Sequence, residues 1–288
     1  MSAIVYLNGQ FMPLEEARVS VLDRGFLFGD GVYEAIPVYG GRMLRGEEHL
    51  VRLEHSLAGI RIDNPLSRAE WTAMLNALIE RNGGGDQSIY LQVTRGAPAK
   101  RDHAFPPAGT SPTVFAMSNP LTPIPAQWVT EGAEAVTVPD LRWLRCDLKT
   151  VQLLGNVMAR QEAVERGAVE AILLRDGMAV EGSASNLFII KNGVVFTTPK
   201  SASILGGITR DLLIELARAE GLTVREELMP ERLLREADEV WVTSSTREIV
   251  PITKVDGVTV GAGKPGPVWA RLHAAYQAFK QKVREGAA

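Results

Sequence analysis

One cysteine and four histidines among 288 residues rule out two common forms of covalent or metal stapling. Cys146 alone closes no internal disulfide, and the scattered histidines lack the paired spacing of a structural zinc site, so no metal is expected. No segment approaches the roughly 18 to 20 consecutive apolar residues that span a bilayer. The start, MSAIVYLNGQ, has no basic stretch leading into an apolar run, and a cytoplasmic protein is expected. An excess of positive charge is lacking too: the formal net charge is −3 and the pI is near 5.9, which leaves no electrostatic footprint for nucleic acid or an anionic membrane. What is present, 45% hydrophobic and 23% charged residues, is the composition of a globular chain with a sizeable core. The length exceeds what one core usually organises, which favours two domains; the lack of a basic footprint favours a small molecule as partner.

The N-terminal part reads as hairpins and helices. IVYL and QFM flank Asn8-Gly9, a dipeptide that tolerates the positive φ angles of a two-residue turn, and VYEAIPVY and RML flank Gly40-Gly41. Between Glu47 and Ile60, residues Leu50, Leu53, Leu57 and Ile60 recur at helical spacing and predict one apolar face. A second helix, SRAEWTAMLNALIERN, is ended by Gly83-Gly84-Gly85; SIYLQVTR and PTVFAMS then read as buried strands around a polar loop from Gly96 to Thr110. Pro120, Pro123 and Pro125 remove backbone donors and helical geometry, placing a linker at 119–132 between an α+β domain at 1–118 and a second domain at 133–288. The second half predicts strands AEAVTV, VEAILLRD, MAVEG, NLFIIK, GVVFTT and DEVWVTSS, helices LGNVMARQEAVERG and DLLIELARAEG, a hairpin EIVPITKVDGVTV, and a terminal helix from about Pro267. There is no internal repeat.

Several residues are placed to carry chemistry. The other lysines fall in turns, polar loops or the last helix, whereas Lys149 lies in WLRCDLKTVQLLG with Leu148, Val151, Leu153 and Leu154 nearby. That setting predicts a partly desolvated amine able to attack a carbonyl at neutral pH; read alone, it is also compatible with a solvated surface lysine. In LGGITRDLL, Gly206-Gly207 feeds a helix that Thr209 is placed to cap, which makes either an anion site at the first N–H groups or an ordinary glycine turn. Ser244, Ser245 and Thr246 form a phosphate-binding hydroxyl cluster or a polar turn. Arg52, beside the apolar stripe of its helix, is a charge-assisted phosphate contact or a solvated flank. Glu181, at a strand end before Gly182, is a solvated acid or a partner for a cofactor's ring nitrogen.

In order, DRGFLFGDGVYE, EHLVRL, YLQVTRG, RWLRCDLKT, LLGNVMARQEA, VEGSASNLF, GGITRD and VTSSTREIVPI resemble the fold-type IV pyridoxal 5'-phosphate (PLP) enzymes, the family of branched-chain aminotransferases, D-amino-acid transaminases and aminodeoxychorismate lyases. The resemblance covers nearly the whole chain. It implies an α+β, two-domain architecture: a smaller N-terminal α/β domain, a larger C-terminal domain with a β-barrel-like sheet core, and the cofactor at the domain interface. It also implies that Lys149 is the Schiff-base lysine, that Glu181 pairs with the pyridine nitrogen, and that Arg52, Ile208, Thr209 and Ser245 hold the phosphate, with Leu205 and Ser244 completing the cofactor-binding set. The chain resembles D-amino-acid transaminases in particular, because the loop after VTRG carries Arg101-Asp102-His103. In those enzymes an Arg-x-His pair and the tyrosine of GDGVYE, here Tyr33, bind the substrate α-carboxylate. Side chains two residues apart in an extended loop point the same way and can grip one carboxylate. Two departures put the substrate range in doubt and leave the cofactor anchors untouched: Pro37 stands where D-specific members carry a lysine, and Ala184 where they carry a serine.

The implied reaction is a ping-pong amino transfer from a D-amino acid such as D-alanine to a 2-oxo acid such as 2-oxoglutarate, with Lys149 moving the α-proton. The resemblance implies a homodimer whose Arg101 and His103 reach into the neighbouring subunit's site. An L-branched-chain aminotransferase would share every cofactor residue but use a different carboxylate trap, and an aminodeoxychorismate lyase would run another reaction in the same frame. Lys149 and Glu181 together argue against a non-catalytic scaffold.

Overall fold

Asn8 and Gly9 take φ angles of 47° and 95°, the left-handed pair that a two-residue hairpin needs, and they join β1 (Ile4–Leu7) to β2 (Gln10–Pro13) in a computed structural model that describes residues 3–287. A short α1 (Arg24–Phe28) leads to β3 (Gly31–Tyr39), which turns at Gly40-Gly41 into β4 (Arg42–Met43). Next come α2 (Gly46–Gly59), α3 (Arg68–Arg81), β5 (Gln87–Thr94) and β6 (Thr113–Pro120). The six strands form one antiparallel sheet in the order β2-β1-β6-β5-β3-β4.

Along most of their length β5 and β6 alternate buried with half-buried positions, the pattern of a sheet packed on one face and not of strands buried throughout. Leu50, Leu53 and Leu57 of α2 and Trp71 and Leu75 of α3 share the core with this sheet, while Ile60 is only partly buried. Each such leucine contributes about 1.5 to 3 kcal/mol by leaving water. Ser67 starts α3 with a capping box, its hydroxyl accepting from the amide of Glu70 while the Glu70 carboxylate accepts from the Ser67 amide, which satisfies two donors that a helix start leaves over.

Beyond Pro125, which serves as its N-cap, the helix α4 (Ala126–Thr130) forms inside the proline-rich stretch; the last proline's φ of −56° already suits a helix start. Then follow β7 (Ala133–Pro139), α5 (Leu154–Glu165), β8 (Glu170–Arg175), β9 (Met178–Gly182), β10 (Asn186–Lys191) and β11 (Val194–Thr197). The chain continues through α6 (Ile208–Ala219), β12 (Val224–Glu226), α7 (Glu231–Arg235), β13 (Glu239–Ser244), β14 (Glu248–Val255), β15 (Val258–Thr259) and α8 (Pro267–Glu285). These strands make a nine-stranded mixed sheet ordered β12-β11-β10-β13-β14-β7-β8-β9, with β15 beside β14, curled as a half-barrel.

Two compact units result. Met1–Leu121, Leu148–Gln152 and Lys280–Ala288 form the first, Thr122–Asp147 and Leu153–Phe279 the second. The return of Leu148–Gln152 to the first unit is a long-range event with no local sequence signal, and it carries Lys149.

Candidate active site

In the first unit, Leu148–Gln152 runs beside β3, joined to it by one isolated bridge. Thr150 bridges Val32 in antiparallel fashion, the Tyr33 amide donates to the Lys149 carbonyl at 2.9 Å, and the Val151 amide donates to the Gly31 carbonyl at 3.0 Å. The Lys149 amide donates to Ser56 Oγ of α2 at 3.1 Å. With its main chain tied on both sides, Lys149 sends Nζ over the Tyr33 ring, 4.1 Å from the centroid. The side chain is half-buried. Of the apolar neighbours named from sequence, Leu148 is buried, but Leu154 is 71% exposed, so β3 and Tyr33 shelter the amine, not the leucine run. Burial alone does not single it out either, since Lys280 is buried over Tyr39. Tyr33 stacks on Tyr90 at 5.6 Å, and the Tyr90 hydroxyl donates to Gln92 at 2.7 Å. Burial, with Tyr33 adding to it, pushes the Tyr90 hydroxyl up to about 12.

Arg52 projects from α2 into a buried carboxylate. Its Nε and Nη2 donate to the two oxygens of Glu34 at 2.8 and 2.7 Å, and His49 Nδ1 lies 2.7 Å from the same carboxylate. Burial works to raise Glu34, but the Arg52 charge and hydrogen bonds, with those of His49, hold it well below the usual carboxylate range.

The second unit gathers a connected set around Glu181, which is buried at the end of β9. Arg142 donates to its Oε1, Asn186 Nδ2 to its Oε2 at 3.1 Å, and the Leu205 amide to its Oε2 at 3.2 Å. Asn186 also donates to the Leu205 carbonyl at 2.8 Å. A second acid, Asp140, holds Arg142 at 2.9 Å. Burial pushes Glu181 up to about 7, against the opposing pull of the Arg142 charge and hydrogen bonds. Directly after Leu205, Gly206 and Gly207 open α6. The helix starts at Ile208 with Gly207 as its N-cap, so Thr209 is not the cap but lies in the first turn. Its hydroxyl is buried and has no hydrogen-bond partner among the described residues. A Cβ at Gly207 would overlap the Asn186 side chain, so glycine is what lets the helix start this close to the Glu181 set. Ser244 ends β13 and Ser245 opens the turn after it, both half-buried, and Ser244 Oγ accepts from the Arg247 amide at 3.3 Å.

The Arg101–His103 loop is exposed but not loose. Arg24 donates to the carbonyls of Asp102 at 2.6 Å, Ala104 at 3.1 Å and His103 at 3.3 Å. Arg101 lies over the Phe28 ring at 4.8 Å, and His103 packs on the same ring at 5.3 Å. These two residues share Phe28, while Tyr33 shares Lys149. Pro37 lies in β3 where β4 covers only Val38 and Tyr39, so its missing N–H costs the sheet little. Ala184 is exposed in the turn after Gly182.

The residues of each unit suit PLP chemically: the first offers an amine held by its main chain, and the second a buried, hydrogen-bonded acid of the kind that pairs with a ring nitrogen and, at a helix start, a buried hydroxyl and backbone donors suited to a phosphate. Sequence reasoning missed Glu34, His49, Arg142 and Asn186. An acid at an inward strand position, with two basic residues three apart on the following helix, was the available sign for the first two. Arg142 and Asn186 had no local sign.

Residues 31–255 match the family described as amino-transferase class IV; the chain belongs to that family and is a PLP-dependent transaminase. Among its relatives is a D-alanine aminotransferase from Bacillus licheniformis, 43% identical over 274 residues that make up 95% of each chain. Another, from Staphylococcus epidermidis, is 38% identical over 96% of this chain and 98% of its own. Among solved structures, the branched-chain amino acid aminotransferase of Escherichia coli superposes with a TM-score of 0.87 at 30% identity, covering 96% of this chain and 94% of its own. A branched-chain amino acid aminotransferase of T.th. origin, complexed with N-(5'-phosphopyridoxyl)-L-glutamate, has a TM-score of 0.86 at 28% identity over 100% and 96%.

Proposed function

We propose that the protein transfers amino groups between a D-amino acid, D-alanine among them, and a 2-oxo acid such as 2-oxoglutarate. The carrying observation is the 43% identity, across 95% of both chains, to an enzyme named D-alanine aminotransferase, against 28 to 30% for the branched-chain enzymes of like fold.

When bound, PLP supplies an electron sink for the charge left on the substrate α-carbon. Lys149 would hold the cofactor, and its Nζ, as the free amine, would take the α-proton and hand it back. The ties of its main chain to β3 and Ser56 limit the arc that Nζ sweeps. Glu181, oriented by Arg142, Asn186 and the Leu205 amide, would, as a carboxylate, pair with the ring nitrogen and keep a proton there. Arg52, Ile208, Thr209 and Ser245 hold the phosphate, with Leu205 and Ser244 beside them; the unpartnered Thr209 hydroxyl supports that role.

Tyr33, Arg101 and His103 grip the substrate carboxylate, with Arg101 and His103 serving the site of a second copy. A homodimer is supported by the exposed apolar Leu154, Val157 and Met158 of α5, 58 to 71% accessible in the single chain. We place the enzyme in the cytoplasm, where free amino acids and 2-oxo acids are drawn on. The test is kcat/KM for D-alanine, L-alanine and L-leucine with 2-oxoglutarate. D-alanine is expected to be fastest, and a faster L-leucine would overturn the assigned handedness while leaving the transamination standing.

A further inference from the structure

Glu34, His49 and Arg52 form a buried set to which the proposed reaction assigns only one member. Glu34 comes from β3 and the two bases from one face of α2, three residues apart. Glu34 and His49 are fully buried, and Arg52 is nearly so. An ionised carboxylate only accepts, so the hydrogen in the 2.7 Å contact between Glu34 Oε2 and His49 Nδ1 belongs to His49. Burial keeps that ring from taking a second proton, with Arg52 and Lys149 helping and Glu34 opposing. His49 is therefore the neutral Nδ1–H tautomer, with its lone pair on a buried Nε2 that has no hydrogen-bond partner among the described residues.

We infer that Glu34 is a positioning residue for Arg52: its carboxylate, oriented by the His49 Nδ1–H, grips the Nε–Nη2 edge of the guanidinium and sets the plane in which Arg52 meets a phosphate monoester. This rests on the reading of Arg52 as a phosphate ligand. A bidentate pair fixes direction as well as distance, and a long arginine side chain without such a grip samples many rotamers. The grip also cancels the charge of Arg52 locally, so the arginine serves as a directed donor more than as a net charge. A purely structural account leaves the set without a role, because a buried ion pair is seldom more stabilising than apolar packing of the same volume.

The test titrates the full chain, stripped of cofactor, with PLP and with pyridoxal, which share a ring and differ by the phosphate. Glu34→Gln keeps the size of the side chain but removes the charge and one acceptor. It is expected to weaken PLP on the order of tenfold and leave pyridoxal unchanged, and to move the His49 ring ¹⁵N resonances away from the Nδ1–H tautomer. Arg52→Lys is expected to lose the same preference for PLP. If Arg52→Lys binds both probes as wild type does, the phosphate reading of Arg52 fails. If Arg52→Lys loses the preference and Glu34→Gln keeps it, or Glu34→Gln weakens both probes equally, the positioning role is overturned. Should Glu34→Gln not fold, Glu34→Asp, which keeps the charge but withdraws it by one methylene, is read in the same way. The wild-type spectrum stands independently: an imidazolium or an Nε2–H tautomer at His49 at neutral pH would overturn the arrangement.

Discussion

Lys149→Ala removes the amine that the return of Leu148–Gln152 sets over Tyr33. Transamination is expected to fall by several orders of magnitude, and borohydride should no longer leave a permanent label on the protein. A variant retaining a tenth of wild-type turnover without added amine would move the role elsewhere. Glu181 supports a prediction that needs no substrate. Burial raises it from 4.5 to about 7, so the folded chain binds a proton that the unfolded chain has released. The resulting stability is fully present below about pH 4.5 and is lost as pH rises through about 7, on the order of 3 kcal/mol in all. Between pH 5 and 8, urea unfolding of the cofactor-free wild type should show a loss of about 2 to 3 kcal/mol relative to Glu181→Gln; parallel pH profiles would refute it. In the loaded enzyme the same variant should slow α-proton removal in single turnovers, since a neutral amide cannot hold the ring nitrogen protonated.

β3 is the element on which the candidate residues of the first unit are assembled: it provides Gly31 for Val151, Tyr33 for the Lys149 main chain and ring contact, and Glu34 for Arg52. Period-two alternation puts Tyr33 and Glu34 on opposite faces of one strand, which is how a single β-strand serves both the amine side and the α2 side. Gly31 has no room for a side chain, because a Cβ there would sit 2.7 Å from the Val93 carbonyl of β5, and a backbone atom cannot swing away as a side chain would. Gly31→Ala is expected to cost about 1 to 3 kcal/mol and to lower kcat, because the strand must shift from either β5 or the Lys149 segment. Unfolding and turnover measured on the same preparation check this. Unchanged kcat in a destabilised variant would show that the seat of Lys149 does not depend on this close approach.

For the whole molecule, the role proposed for the exposed Arg101–His103 loop is service to the site of a second copy. Arg101→Ala should cost about 1.5 to 3 kcal/mol in D-substrate kcat/KM, the range for a hydrogen bond to a charged group, while leaving PLP affinity alone. Selectivity against L-isomers should fall with it. If Arg101 serves the neighbouring site, exchanging subunits between Arg101→Ala and Lys149→Ala dimers rebuilds one intact site in each mixed dimer. Activity should then rise to about a quarter of wild type, from half the dimers being mixed with one of two sites restored in each. No recovery on verified exchange would confine Arg101 to its own subunit.

The sequence by itself determined what is local. The Asn8-Gly9 turn, the leucine stripe of α2, the capped start of α3 and the glycines before α6 are each dictated by residues within a few positions of one another. The motif order around Lys149, Glu181 and Gly206-Gly207 marked the family for the same reason, as did the Arg101–His103 pair. Short polar elements such as β12 and α7 were invisible, since three to five residues with few apolar side chains carry no period. Tertiary structure alone decided which distant residues meet. It brought Leu148–Gln152 back to β3, across more than a hundred residues. It joined Glu34 to His49 and Arg52, and Arg142 and Asn186 to Glu181, because a buried charge is stable only where folding supplies its partner. Identifying that partner depends on strand order and register, which no window along the chain contains.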